Sequence, residues 1–446
     1  MKRLGYILRV AIMLAVSYSI LRLVISINTP GAGLFPDAWN FLDPFRLIAS
    51  DGPAMAWSIG VHIMLSAGLV VVSYRRSRDA GWAPWTAFLM LLPVVRLFVF
   101  TALAVVPSAV HTNALDVPTN AWLDRILPAS RLGNAVAAIL IASALVLPLG
   151  FLNVRVLEEY GLALFIGLPF LLGAVSAFLY SHHVARSLLQ SLGIAFLTVS
   201  LTMLAIFVLA MEGLLCLVMA APIAYGIAFA GALVGHALSR RAPGGVPTML
   251  LMLLLTPALM AFEVVNPAQA PLFPVVTSLI IDAPRQAVWN ELVAFSRMDG
   301  PDELLFRAGI SYPVEARIEG TGVGACRYCQ FNTGPFVEPI TTWDEPDLLA
   351  FDVLEYPPPM TEFSIYARID APHVEGYFQS RRGQFRLETL PDGATLLEGT
   401  TWYTHDIWPA WYWRIWSDAI LHRIHGRVLK HIKSEVERTV AGDTKS

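Results

Sequence analysis

The stretch that decides the fold is "TSLIIDAPRQAVWNEL", residues 277–292. An alternating strand pattern ends at residues 282–284 and continues as an amphipathic helix, with a proline in the first turn, where its missing N–H costs nothing. Val288, Leu292 and Phe295 recur at helical spacing and predict one buried face. This pattern is typical of a water-soluble domain, although the chain before it is strongly apolar.

The composition of the chain excludes several classes of protein. Of its 446 residues, 56% are hydrophobic and only 15% are charged, fewer charges than a globular enzyme normally carries. The net charge of -3 offers no basic surface, so no nucleic-acid partner is expected. Three cysteines cannot form a disulfide framework.

Charged residues are sparse in the first part of the chain and return at ordinary frequency from about residue 271. The proline-rich segment between these parts is typical of a linker. We therefore predict a multi-pass transmembrane domain at 1–265, a linker at 266–274, a soluble domain at 275–440 and a disordered tail at 441–446.

The first part contains repeated apolar runs long enough to cross a bilayer, which takes about 20 residues in a helix. They predict an all-α polytopic membrane domain of about eight transmembrane helices. The runs lie near 5–27, 54–74, 82–107, 132–152, 161–180, 188–210, 213–238 and 247–265.

Residues 74–95, "YRRSRDAGWAPWTAFLMLLPVV", combine paired arginines, then Asp, Gly and Trp, and then an apolar run broken by proline. This segment resembles an uncharacterised bacterial inner-membrane family, which implies a location in the inner membrane. The basic residues of the first loops favour a cytoplasmic N-terminus. An even number of crossings then favours a cytoplasmic C-terminal domain, although Arg186, Arg240 and Arg241 oppose that orientation. If the segment around Arg96 is instead re-entrant, those three charges lie inside and the C-terminal domain lies outside.

The soluble part reads as one strand, two helices, a run of antiparallel strands and a long helix at about 409–438. Together with the phrases "IDAPRQAVWNEL", "GTGVGACRYCQF" and "GQFRLETLPDGATLLEGTTWY", this order resembles the SRPBCC superfamily, which includes START-like and polyketide cyclase/dehydrase types. The resemblance implies an α+β helix-grip fold, in which a curved antiparallel sheet surrounds a long C-terminal helix and an apolar cavity. It implies no single activity, because the superfamily includes binders and enzymes alike.

A wedge between such a sheet and its helix could hold an apolar guest. Burying roughly 400 Å² of ligand surface would contribute about 10 kcal/mol before the ordering costs of binding are subtracted. The expected partners are therefore a hydrophobic small molecule or lipid and the lipid bilayer itself, and no protein partner can be named.

The final helix carries a polar group beside its apolar face. At about 100° per residue, Asp418, His422 and His425 lie within roughly 60° of arc and point toward the cavity or its edge. They could bind a ligand head group, act as an acid–base pair or bind a metal, or they could only tie the helix to its surroundings.

The aromatic segment at 401–416, "TWYTHDIWPAWYWRIW", precedes and enters that helix. Trp402, Tyr403 and Trp411 are predicted to line the ligand site. Core packing and anchoring at the bilayer interface, where Trp and Tyr are enriched, are the alternatives.

The sequence also contains a CxxC motif at Cys326 and Cys329. It follows a glycine-rich turn and alternates like a strand, so side chains three positions apart point to opposite faces. A zinc site would also need further ligands, and there is no second CxxC motif. The sequence therefore predicts neither a metal nor a cofactor.

These observations favour a membrane-tethered protein that binds or handles a hydrophobic, lipid-like or polyketide-like molecule in its C-terminal domain. The first alternative is a cyclase/dehydrase-type enzyme that uses His422, His425, and Asp418 or Tyr403. The second is an interaction module whose aromatic segment docks a protein at the membrane surface.

Overall fold

The computed structural model describes residues 2–28, 53–92, 95–106, 108, 121–240, 245–293, 295–364 and 376–443. The chain divides into two compact units. Unit 1 comprises Met1–Glu212 and Leu217–Ala268, and unit 2 comprises Gly213–Cys216 and Gln269–Ser446. Part of the predicted tail is helical, because the last helix continues to Asp443; residues 444–446 lie outside the described part.

The regular elements in the described part of unit 1 are all helices. Its α-helices are α1 (Arg3–Asn28), α2 (Pro53–Asp79), α3 (Val95–Val105), α4 (Ala121–Ile126), α5 (Arg131–Phe151), α6 (Leu168–Tyr180), α7 (Leu188–Val208), α8 (Leu214–Ser239) and α9 (Gly245–Val265). A 3-10 helix covers Pro84–Leu91, and π-helical turns at Leu152–Val156 and Ala163–Gly167 extend α5 and precede α6.

Six helical segments of the described residues are long and apolar enough to cross a membrane. They are Arg3–Ile20, Arg131–Val156, Ala163–Tyr180, Leu188–Val208, Leu214–Ser239 and Gly245–Val265. A membrane-spanning helical part is therefore supported, but the predicted count of eight is not confirmed.

The predicted run at 82–107 is broken into the 3-10 helix and α3. The 11 residues of α3 span about 17 Å, well short of a hydrocarbon core of about 30 Å. The run at 54–74 lies on α2, which is not among the six spans that length and composition identify in the described residues.

Helices α6 and α8 approach each other closely through small residues. A Cβ added to Gly173 of α6 would lie 1.8 Å from the carbonyl oxygen of Ala228 in α8. A Cβ on Gly231 would lie 2.0 Å from the oxygen of Phe170, and a Cβ on Gly235 would be similarly close to α6. These glycines therefore permit the backbone contact, as small residues do in membrane helix pairs.

Unit 2 contains one antiparallel sheet and one long helix. Its strands are β1 (Leu272–Ile281), β2 (Pro313–Glu319), β3 (Cys326–Phe331), β4 (Gly334–Asp344), β5 (Leu348–Asp352), β6 (Phe378–Thr389) and β7 (Thr395–His405). The helices are α10 (Arg285–Val293), α11 (Leu304–Arg307) and α12 (Ala410–Asp443).

The sheet of unit 2 has seven strands in the order β1-β7-β6-β5-β4-β3-β2. Chain-adjacent strands β2 to β7 pair as a meander, and β1 pairs with β7 to form one edge of the sheet. Helix α12 packs across the inner face through Val428, Leu429, Ile432 and Val436, together with residues of α10. A curled sheet that holds a long helix is the helix-grip architecture expected for this part of the chain. Strand β1 begins at Leu272, inside the segment predicted as a linker.

Candidate ligand-binding site

A buried ion pair lies on the inner face of the sheet. Arg327 of β3 and Glu338 of β4 are direct partners in the antiparallel register. The alternation of each strand turns both side chains inward, where they are only 3% and 8% exposed. A guanidinium N–H of Arg327 donates a hydrogen bond to the Glu338 carboxylate. Burying an isolated charge costs a large desolvation free energy. The groups around this pair must therefore compensate for the loss of water around both charges.

Aromatic rings surround the cation of that pair. The guanidinium carbon of Arg327 lies 5.1 Å from the ring centre of Phe351, 5.6 Å from that of Phe385 and 5.8 Å from that of Phe295. These distances fall within the range of a cation–π interaction, which is stronger when the cation is desolvated. The rings come from β5, β6 and the segment that follows α10, so folding itself assembles the enclosure.

The charges of the pair hold each other in place electrostatically. Burial lowers the pKa of Arg327, but the Glu338 carboxylate more than offsets that effect, so the pKa is raised and the guanidinium stays charged. Burial raises the pKa of Glu338, and Arg327 opposes that shift. On the same strand face, burial raises the pKa of the Cys329 thiol to about 12, so this cysteine is a neutral thiol.

One donor of Arg327 is left over. Its Nε–H is shielded from solvent and has no hydrogen-bond partner among the described residues. A buried donor without a partner costs about 1–3 kcal/mol, and a native structure that keeps one needs a reason, such as a bound water or ligand. An apolar, aromatic enclosure with a few polar groups is the usual composition of a small-molecule site.

A second polar group lies between α12 and the strands β1 and β7. The Thr277 hydroxyl oxygen lies 2.8 Å from Nδ1 of His422 and 3.0 Å from Nδ1 of His425. The hydroxyl oxygen of Thr401 lies 2.8 Å from Nε2 of His425. Burial, with a smaller contribution from His422, lowers the pKa of His425 to about 4. His425 is therefore a neutral ring with both nitrogens engaged, and it ties the helix to the sheet.

A third polar group lies nearer the start of α12. Tyr403 of β7 is fully buried, and its hydroxyl donates a hydrogen bond of 2.6 Å to Asp418. Arg414 donates from Nε to the other carboxylate oxygen of Asp418 at 3.0 Å. Burial raises the pKa of Tyr403 far above its usual range, and Asp418 adds to that shift. The phenol is therefore a hydrogen-bond donor to the helix and a poor acid.

His405, two residues further along β7, also points inward. Its side chain is buried, and neither ring nitrogen has a hydrogen-bond partner among the described residues. The ring stacks on Phe273, with 5.4 Å between ring centres. Burial lowers its pKa to about 4, so the ring is neutral near pH 7.

The remaining two residues predicted to line the site lie apart from these groups. Trp402 points to the opposite face of β7, and Arg382 lies over its ring at 4.3 Å. Trp411 is 44% exposed at the start of α12 and meets the ring of Tyr412 edge-on. The structure thus places Tyr403, Asp418, His422 and His425 along the boundary between helix and sheet and separates both tryptophans from them.

The residues Cys326 and Cys329 lie three positions apart on β3, where Cys329 is buried and both thiols are free. Arg327 lies between them and was not among the residues predicted from the sequence to form a site. A signal existed, since Arg327 shares its strand parity with Cys329 and Phe331, and a charged residue at an apolar-face position is unusual. Its partner, Glu338, required knowledge of the hairpin register.

Comparison with known proteins identifies no family for this chain. No family model matches it, and no curated protein does. The resemblance of residues 74–95 to an inner-membrane family therefore finds no support.

Solved structures match the C-terminal part. The Zhui aromatase/cyclase from Streptomyces sp. R1128 is 18% identical over 38% of this chain and 96% of its own, with a TM-score of 0.26. Truncated norcoclaurine synthase from Thalictrum flavum is 13% identical over 38% of this chain and 97% of its own, with a TM-score of 0.25. A protein from Nitrosospira multiformis is 19% identical over 37% of this chain and 96% of its own, with a TM-score of 0.25. Likenesses at this level transfer no activity or ligand to the chain.

Proposed function

We propose that unit 2 binds a hydrophobic small molecule, lipid-like or polyketide-like, in the interior between sheet and helix, and that unit 1 keeps this binding beside a membrane. The observation that carries the proposal is the buried Nε–H of Arg327, which has no partner among the described residues and is enclosed by aromatic rings. A ligand with an apolar body and one oxygen acceptor would satisfy this donor and contact those rings.

The chemistry of the interior supports binding over proton transfer. Arg327 is held charged by Glu338, and His425 is held neutral with both nitrogens bonded to threonines. A general acid or base works best with a pKa near the working pH, which neither group has. The apolar helices of unit 1 support the membrane part of the proposal, because the molecules that fit an apolar interior concentrate in a bilayer.

The experiment that tests this proposal compares the full chain with an Arg327→Lys variant. Both proteins are purified in detergent, and their co-purified small molecules are identified by native mass spectrometry and organic extraction. Lysine keeps a positive charge beside Glu338 but has no Nε–H and no planar fork. We expect the wild-type chain to retain one apolar molecule with an oxygen acceptor and the variant to retain at least about tenfold less, a loss of about 1.4 kcal/mol.

The matched control is Arg381→Lys, because Arg381 bonds to Thr404 at the exposed side of the sheet. This variant should retain the molecule at the wild-type level. A wild-type chain that carries no such molecule, or an Arg327→Lys variant that carries as much as the wild type, would contradict the proposal.

A further inference from the structure

A cluster of possible metal ligands lies in unit 1. His182 and His183 directly follow helix α6, and Asp124 lies on the short helix α4. One imidazole nitrogen from each histidine and a carboxylate oxygen of Asp124 all lie within 4.8 Å of one another. The sequence pattern gave no indication of this cluster, because the histidines and the aspartate are far apart in the chain.

The distances in this cluster fit one small cation. Nε2 of His182 lies 2.9 Å and Nδ1 of His183 lies 3.7 Å from the same carboxylate oxygen of Asp124. Two ligands bound tetrahedrally to Zn²⁺ at about 2.0–2.1 Å are separated by about 3.4 Å. The observed separations lie on either side of this value, so small side-chain rotations would bring the atoms to a shared ion.

His183 forms a hydrogen bond with a backbone carbonyl oxygen, which can only accept. Its Nε2 lies 2.9 Å from the carbonyl oxygen of Leu127, so Nε2 must carry the proton. With Nε2 engaged in this way, Nδ1 is the nitrogen that faces the Asp124 carboxylate, at 3.7 Å. A cation between these two atoms would have one ligand atom on each side. A histidine whose other nitrogen donates to a backbone carbonyl is also the usual arrangement for a metal ligand.

The charges around Asp124 leave the position open to a cation. Among the described residues, the ion-pair partners of Asp124 are the two imidazoles, and no Lys or Arg pairs with it. Two arginines contact Tyr180, the last residue of α6: Arg131 bonds to its hydroxyl and Arg186 lies over its ring. The Asp124 side chain is 33% exposed, so solvent can reach the cluster and supply a further ligand.

We infer that Asp124, His182 and His183 form a site for a divalent transition metal, Zn²⁺ first, with an open coordination position. Two imidazoles and one carboxylate suit this ion, whereas Mg²⁺ and Ca²⁺ prefer an all-oxygen set. The site lies just after the last residue of α6 and just before the first residue of α5. It is therefore at one end of two predicted membrane spans.

The test uses the full chain without a polyhistidine tag, stripped with chelator and titrated with Zn²⁺ by calorimetry. We expect one Zn²⁺ per chain and no binding of Mg²⁺ under the same conditions. Asp124→Asn keeps an oxygen that accepts from His182 but removes the charged ligand. It should weaken Zn²⁺ binding by more than the roughly 10–100-fold cost typical of losing an outer-shell partner. His431→Gln, a change to a histidine of α12 that bonds to Ser296, is the matched control and should bind as the wild type does.

A second measurement needs no variant. Zn²⁺ should slow the modification of His182 and His183 by diethyl pyrocarbonate in the wild-type chain, mapped by mass spectrometry, and leave His431 unaffected. The inference is overturned by a wild-type chain that binds no Zn²⁺, by equal binding in Asp124→Asn, or by modification of the two histidines that Zn²⁺ does not change.

Discussion

At the scale of single residues, the Arg327–Glu338 pair is unusual because it combines a high desolvation cost with an unused donor. Breaking a buried pair by removing one partner typically costs about 3–5 kcal/mol, whereas replacing both by apolar residues is often neutral or stabilising. If the pair served stability alone, two apolar residues could replace it without loss. If the pair served ligand binding, the same replacement would preserve stability but would remove the bound ligand.

Single and double substitutions of the pair should have opposite effects on stability. Glu338→Leu should lower the free energy of unfolding of unit 2 by about 3–5 kcal/mol, because Arg327 is left buried and unpaired. Arg327→Met combined with Glu338→Leu should restore stability to near the wild-type value. Calorimetry of the detergent-solubilised full chain measures both, and a double variant as unstable as the single one would contradict the argument.

The buried His405 predicts that the stability of unit 2 depends on pH. Burial lowers its pKa to about 4 in the folded state, below the value of about 6.5 in an unfolded chain. The folded state then binds fewer protons between these values, so its stability is fully present above about pH 6.5 and is lost as the pH falls toward 4. The largest possible contribution is about 3 kcal/mol.

Replacing His405 by phenylalanine keeps an aromatic ring against Phe273 but removes the titration. The variant should lose less stability than the wild type when the pH falls from 6.5 to 4.5, as measured by calorimetry of the full chain at both pH values. A residual slope remains, because His425 contributes in the same direction. Identical slopes in variant and wild type would show that His405 is not buried as a neutral ring.

At the scale of elements, hydrogen bonds attach α12 to the strands beneath it. Thr401 and Thr277 together engage both nitrogens of His425, so removing one hydroxyl leaves a buried polar atom without a partner. Such a loss costs about 1–3 kcal/mol. These hydrogen bonds show that His422 and His425 position α12 on the sheet, whether or not a ligand also contacts them.

The change Thr401→Val should therefore loosen α12 without altering the shape of the strand. Amide hydrogen exchange of the α12 peptides, measured in the full chain at one pH, should become faster than in the wild type. Thr404→Val, on the same strand but bonded to the exposed Arg381, should leave this exchange unchanged. Equal exchange in all three proteins would exclude an anchoring effect of Thr401.

The contact between α6 and α8 gives a prediction for unit 1. Gly231→Ala would place a methyl group against the backbone of Phe170, so the two helices must separate and the chain should lose heat resistance in detergent. Gly226→Ala on the same helix meets nothing within 4 Å, and alanine is otherwise favoured over glycine in a helix by about 1 kcal/mol. The control should therefore melt no lower than the wild type, and the same result for Gly231→Ala would disprove the close contact.

At the scale of the whole molecule, the sequence predicts the elements better than it predicts the site. Alternation in segments such as "ATLLEGTTWYTHDI" (residues 394–407) marks strands, because a half-buried strand exposes every second residue to water. The run at 82–107 shows the limit, since hydropathy alone does not register that the run is divided into a 3-10 helix and an 11-residue α-helix, each too short to cross a bilayer.

The site depends on pairings between strands and on contacts between elements that no short window of sequence contains. Arg327 meets Glu338 because β3 and β4 pair in one register, and a shift by one residue would turn Glu338 to the other face. The polar face of the long helix could be predicted from helical periodicity, but its threonine partners come from β1 and β7. Sequence alone therefore emphasised the helix and missed the buried pair.

The most direct test of a ligand in the interior is an experimental density map of the full chain, purified from the cells that express it. We expect elongated density within the aromatic enclosure, with one polar atom about 2.7–3.2 Å from Nε of Arg327. Density for a single water at that atom, with side chains filling the rest of the interior, would contradict the proposed ligand site.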